Sequence, residues 1–147
     1  MRPLMLAAVV AILASAACAQ ARVGPNFNVD RQPVWGPTGY DHVEFYYLPD
    51  IEAYYNVPQR RFYYSDHGRW MSGTVLPSRY RGFDLFTAYK VVVNEPMPYR
   101  HHAKYKIQYD SFRGRRDQSP IRDSLDPKYF VNGKHPEHEN WSIQQRR

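Results

Sequence analysis

The chain has 147 residues, 13 of them tyrosine, a single cysteine and a formal net charge of +6. That length suits one domain, and one cysteine excludes an internal disulfide, a multi-cysteine zinc site and a paired-thiol redox centre. The positive balance favours anionic partners such as lipid headgroups or acidic glycans, although positive and negative residues are well mixed and plain solubility accounts for it equally.

Residues 1–19 read as a secretory signal peptide. Arg2 supplies a short positive region, Leu4 to Leu13 an apolar stretch, and small residues follow. The apolar run falls short of the ~20 residues that span a bilayer. Ala17-Cys18-Ala19 fits cleavage before Gln20. Ser15-Ala16-Ala17-Cys18 is an imperfect lipoprotein box, which would lipidate Cys18 and anchor the chain to the outer membrane. Either route exports the protein to the periplasm or beyond and makes nucleic acid an unsuitable partner. Cleavage before Gln20 leaves no cysteine, hence no thiol chemistry.

Residues 20–40 are rich in proline and glycine and lack an apolar period. They read as an extended linker, with Trp35 placed to anchor it. Residues 41–112 form the α+β core domain. Here the pattern turns to period two. HVEFYYL, IEAYY, RFYYS and RWMSG predict four short strands separated by Pro49-Asp50, by residues 56–60 and by Asp66-His67-Gly68. Gly68 suits a positive φ. Residues 89–93 end in three consecutive valines and predict a further strand.

Pro96 or Pro98 then opens a helix of about three turns laid against the sheet, with Tyr99, Ala103 and Ile107 at i, i+4, i+8 and His102, Tyr105 or Lys106, and Tyr109 running alongside. The expected fold is α+β: a small antiparallel meander of three to five strands packed on one main helix, with extended ends. Its core draws on Val43, Phe45, Tyr47, Ile51, Tyr55, Phe62, Tyr64, Trp70, Leu76, Leu85, Val91, Val93, Ala103 and Ile107. Residues 113–147 form a polar C-terminal tail, with Tyr129, Phe130 and Trp141 placed to pin it.

Chemistry-bearing motifs are sparse. His101 and His102 are adjacent, so on a helix their rings diverge by about 100° and suit one sheet-facing and one solvent-facing histidine better than a shared ion. His135 and His138 in KHPEHEN offer the alternative of weak divalent-metal binding. No nucleophile elbow, zincin, Walker or dinucleotide fingerprint occurs, and no motif calls for a cofactor. The expectation is therefore a non-enzymatic envelope protein, structural or binding, that uses an aromatic and basic surface. The residues proposed for it are Tyr46, Tyr54, Tyr63, Arg61 and Arg69, and its partner would be an envelope component: an anionic glycan, a peptide or a protein. Arginine stems that shield tyrosine rings within the fold are the competing use of the same residues.

Tyr46-Tyr47, Pro49-Asp50, Tyr54-Tyr55, Phe62-Tyr63-Tyr64, Gly68-Arg69-Trp70, Leu76-Pro77 and Tyr89-Lys90-Val91-Val92 together give a further signal. This pattern resembles a family of small exported proteins of Gram-negative bacteria that constitutes a domain of unknown function. PYRHH, IRDSLDPKYF and KHPEHENW extend the resemblance over most of the chain after residue 20. It implies export and implies no activity or catalytic residue.

Overall fold

The computed structural model describes residues 27–147; the signal segment, Cys18 and the first part of the linker lie outside the described residues. Strands β1 (Phe45–Leu48), β2 (Ala53–Asn56), β3 (Arg61–Asp66), β4 (Arg69–Gly73) and β5 (Val91–Val93) form one antiparallel sheet in the order β4-β3-β2-β1-β5. The expected α+β meander is thus present, with β5 returning to pair with β1. Turn chemistry sets the register. His67 and Gly68 both have positive φ, as a two-residue hairpin turn requires. Asn56 Oδ1 accepts the Gln59 amide at 2.8 Å and braces the turn between β2 and β3.

The pairing aligns aromatic side chains across the sheet. Tyr46 lies opposite Tyr55, Tyr47 opposite Tyr54, Tyr55 opposite Phe62 and Tyr54 opposite Tyr63. Each such pair contributes roughly 0.2–1 kcal/mol. Alternation sends Tyr46, Tyr55, Phe62 and Tyr64 to one face, and Phe45, Tyr47, Tyr54 and Tyr63 to the other.

Both faces are covered. Over the second face lies a 3-10 turn (Pro98–His101) that runs into helix α1 (His102–Gln108). Tyr99 stacks on Tyr63 at 4.7 Å, and Tyr105 and Tyr109 pack beside Tyr47 and Tyr54. The helix therefore faces the sheet with His102, Tyr105 and Tyr109, which corrects the expected Ala103 and Ile107. Ala103 is exposed and Ile107 is 81% exposed. The cause is the opening 3-10 turn, which advances the chain at three residues per turn and rotates the phase relative to a continuous α-helix.

Over the first face lie Trp35 from the N-terminal lead-in and Leu76, Phe83 and Leu85 from the loop before β5. The lead-in is tied down through Asn28, whose side chain donates to Val43 O at 2.7 Å and accepts from Val43 N at 2.9 Å. The C-terminal segment straps it from outside. Ile121 is fully buried and its amide donates to Gly36 O, Arg122 N donates to Val34 O, and the Tyr129 hydroxyl accepts the Gly39 amide. Helix α2 (His138–Gln145) closes the chain. One sheet edge is blunted: the Gln118 side chain accepts the Lys90 amide and donates to Lys90 O, both at 2.8 Å, beside β5. Among the described residues no helix is long and apolar enough to cross a membrane.

Candidate functional site

The five residues expected to form an aromatic and basic surface do not meet. Tyr46 and Tyr54 are 0% exposed, on opposite faces of the sheet, so neither offers a ring to a partner. Burial pushes both phenols well above the usual tyrosine range. Their placement corrects the expectation of exposed rings: three layers enclose more aromatic area than a sheet covered on one side. Tyr63 is half-buried under Tyr99 and donates to Gln59 Oε1 at 2.6 Å. Arg61 reaches Ser72 on the neighbouring strand, while Arg69 is exposed at the start of β4.

Many other cations shield rings, the second use of arginine that the sequence suggests. Arg79 lies over Tyr64 and Tyr80, Arg115 over Tyr89 and Phe112, and Arg122 over Phe86.

His135 and His138 are both drawn into the C-terminal strap. His135 is buried; its Nδ1 accepts the Glu137 amide at 3.1 Å, so Nε2 carries the proton and donates to Ser124 O at 3.1 Å. His138 Nδ1 lies 2.7 Å from Phe130 O. A cation at His135 would have to displace one of these backbone bonds. Among the described residues no cluster of three or more His, Cys, Asp or Glu side chains is arranged to hold a metal ion. His101 and His102 divide as expected: His101 is exposed on Glu95, and His102 packs edge-on to Trp70 at 5.0 Å.

Two polar arrangements stand out instead. In the first, Glu52 accepts from Lys106 Nζ at 3.1 Å and from Arg113, and His102 Nε2 approaches it at 3.4 Å. His102 Nδ1 lies 2.9 Å from the Tyr54 hydroxyl. A carboxylate only accepts, so Nε2 donates to Glu52, and in the neutral ring Nδ1 then accepts from the Tyr54 hydroxyl. Burial works to raise the Glu52 pKa, but the hydrogen bonds from Lys106, Arg113 and His102 together outweigh it and hold the carboxyl below its usual value. Glu52 has φ +52°, a left-handed conformation that is costly for a residue with a Cβ. Its polar atoms are committed to one another, and the cluster clasps the β1–β2 turn to α1 and Arg113.

The second arrangement is open. Where the lead-in crosses the first face, a cleft of about 370 Å³ has Trp35 and Tyr55 in its wall, with Arg31, Arg60, Lys134 and Asp30 around them. Trp35 is fixed by Tyr46, Tyr55 and Phe62 at centroid distances of 5.6, 4.9 and 6.4 Å. Gln32 and Asn132 are buried beside it. The Tyr46 hydroxyl donates to Gln32 Oε1 at 3.2 Å, and Asn132 Nδ2 donates to Gln32 O at 2.5 Å. This wall is rigid because its rotamers are locked from behind.

The cations around it are not satisfied in the same way. Arg113, Arg115, Arg116, Arg122, Lys106 and Lys128 each meet a carboxylate. Arg31, Arg60 and Lys134 form no ion pair among the described residues, a state they share with Arg61, Arg69, Arg81, Arg100 and Lys104, and they line a cleft with an indole in its wall. Arg60 lies close enough to Tyr55 for its charge to oppose the rise that burial imposes on that phenol. Its φ of +54° is again a left-handed outlier, located at a candidate site.

Of the residues around this cleft, the sequence marks Trp35 as an anchor and Arg60 only as the end of the break over residues 56–60. It carries no sign that Lys134 joins them, since the segments meet across a separation of 100 residues at Gln32 and Asn132. No family model, curated protein or solved structure matches the chain.

Proposed function

We propose that the protein is an exported, non-enzymatic binding module of the cell envelope that holds an anionic component in the cleft beside Trp35 and Tyr55. The observation that carries this reading is the set of three cations, Arg31, Arg60 and Lys134, without carboxylate partners around a half-buried indole. Concave sites with an aromatic wall and a few convergent polar groups are the usual form of a ligand pocket. Guanidinium groups match carboxylate, sulfate or phosphate in a bidentate fork. The left-handed backbone at Arg60 fits a role outside folding, because glycine at that turn position would be less strained.

The test is calorimetric titration of the protein with acidic polysaccharides at low salt, comparing wild type with an Arg60→Glu/Lys134→Glu variant. Charge-assisted hydrogen bonds are worth about 1.5–3 kcal/mol each, so the variant is expected to bind at least about tenfold more weakly. Equal binding by the two proteins, or none by wild type, would remove the proposal.

A further inference from the structure

The Trp35–Tyr55 cleft does not end at its rim. A second cleft of about 450 Å³ adjoins it and shares Asp30 and Arg31. Its far wall brings in His42 and Glu44, whose side chains meet at 2.9 Å, together with Phe27 and Pro58. The two clefts meet at Asp30 and Arg31, and the charge around them changes from one to the other. To the shared Asp30 and Arg31 the first compartment adds Arg60, Lys134 and the aromatic wall, and the second adds the carboxylate of Glu44 with His42 beside it.

We infer that the groove binds a linear glycan whose acidic rings are separated by uncharged, hydroxyl-rich rings. This deepens the reading of the Trp35–Tyr55 cleft and rests on it. Each compartment is about the volume that small-ligand sites have, so the groove has room for adjacent rings of one chain. The first compartment selects a ring that carries an anionic group: the cations meet the charge, and the electron-rich indole face attracts the polarised C–H bonds of a sugar. The second compartment suits another anion less, because Glu44 adds a carboxylate there while Arg60 and Lys134 are absent from its lining. Carboxylates are pure acceptors with several lone pairs, which suits a ring that presents hydroxyl donors. A polymer with a charge on every ring would set one carboxylate beside Asp30 and Glu44, and a neutral polymer would leave the three cations unmet. An acidic peptide meets the same obstacle in the second compartment.

The experiment is calorimetry of the whole protein against four probes of matched length. They are hyaluronan fragments, with a carboxylate on alternate rings; oligogalacturonate, with one on every ring; uncharged chito-oligosaccharides; and oligoglutamate. Wild type is expected to prefer hyaluronan fragments by about tenfold over each of the others. A Glu44→Lys variant is expected to lose the preference over oligogalacturonate. An Asp30→Asn variant is expected to weaken that preference with less change of charge. Equal wild-type affinity for hyaluronan fragments and oligogalacturonate, or a preference untouched by both variants, overturns the inference while leaving the Trp35–Tyr55 reading in place, provided that Arg60→Glu still weakens binding. Tighter binding of oligoglutamate overturns it in favour of a peptide. Failure of every acidic probe overturns both.

Discussion

Lys90 is 1% exposed, and its ammonium donates to Phe86 O at 3.4 Å. Burial lowers its pKa from 10.5 to about 8; the nearby Asp84 charge opposes the shift and Arg116 adds to it. One pKa unit is 1.36 kcal/mol, so the charged amine costs the fold about 3 kcal/mol wherever both states are protonated. The sign follows from proton counting. The folded pKa is the lower one, so between about pH 8 and 10.5 the unfolded chain binds more protons and stability rises with pH. Below that window the cost is present in full.

Lys90→Met keeps the length and apolar stem and removes the charge. At neutral pH it is expected to raise the unfolding free energy by up to about 3 kcal/mol, and by about pH 9.5 the advantage shrinks by about 2 kcal/mol because wild type has shed its proton. Urea denaturation at the two pH values measures both. The comparison must stop near pH 10, where tyrosine acts in the opposite direction. Burial pushes Tyr47 and Tyr105 up to about 12, so above 10 the unfolded state loses protons first and stability falls with pH. A Lys90→Met variant less stable than wild type at neutral pH, or an advantage that does not change with pH, would refute the reasoning.

Ile121 seats the C-terminal strap with no exposure, so Ile121→Ala is expected to cost about 2–5 kcal/mol in urea denaturation and to admit proteolysis after residue 113; a loss below about 1 kcal/mol would show that the strap is dispensable. Tyr46→Phe leaves the buried Gln32 Oε1 without its phenol donor and is expected to cost about 1–3 kcal/mol. Tyr63→Phe removes an exposed bond to Gln59 and is expected to lie within about 0.5 kcal/mol of wild type by the same assay.

The strands were legible because aromatic and β-branched residues alternate between strong turn signals. The meander ends at Gly73, the last residue of the RWMSG stretch. Which residues point inward was not legible, since alternation identifies a buried face only when the other face is polar. Here both faces carry rings, so the expected core mixes Phe45 and Tyr47 from one face with Tyr55, Phe62 and Tyr64 from the other. The same ambiguity placed Tyr46 and Tyr54 on a surface. The helix was visible from Pro98, but its phase depended on a 3-10 turn that leaves no mark in residue type. The C-terminal strap was polar by composition, and only long-range backbone bonds such as Ile121 N to Gly36 O turn it into structure. The cleft depends on that strap, so the sequence held its residues in three unrelated places.

We propose that function resides in the Trp35–Tyr55 cleft and that the tyrosine-rich sheet is scaffold. Titrating isotopically labelled protein with hyaluronan fragments and following backbone and indole resonances tests it most directly. The Trp35 indole N–H and the amides of Gln32, Tyr55, Arg60 and Gly133 are expected to shift together and saturably, while the amides around Tyr63 and Arg69 stay still. Shifts centred on Tyr63 and Arg69, or none at Trp35 at saturating ligand, would contradict it.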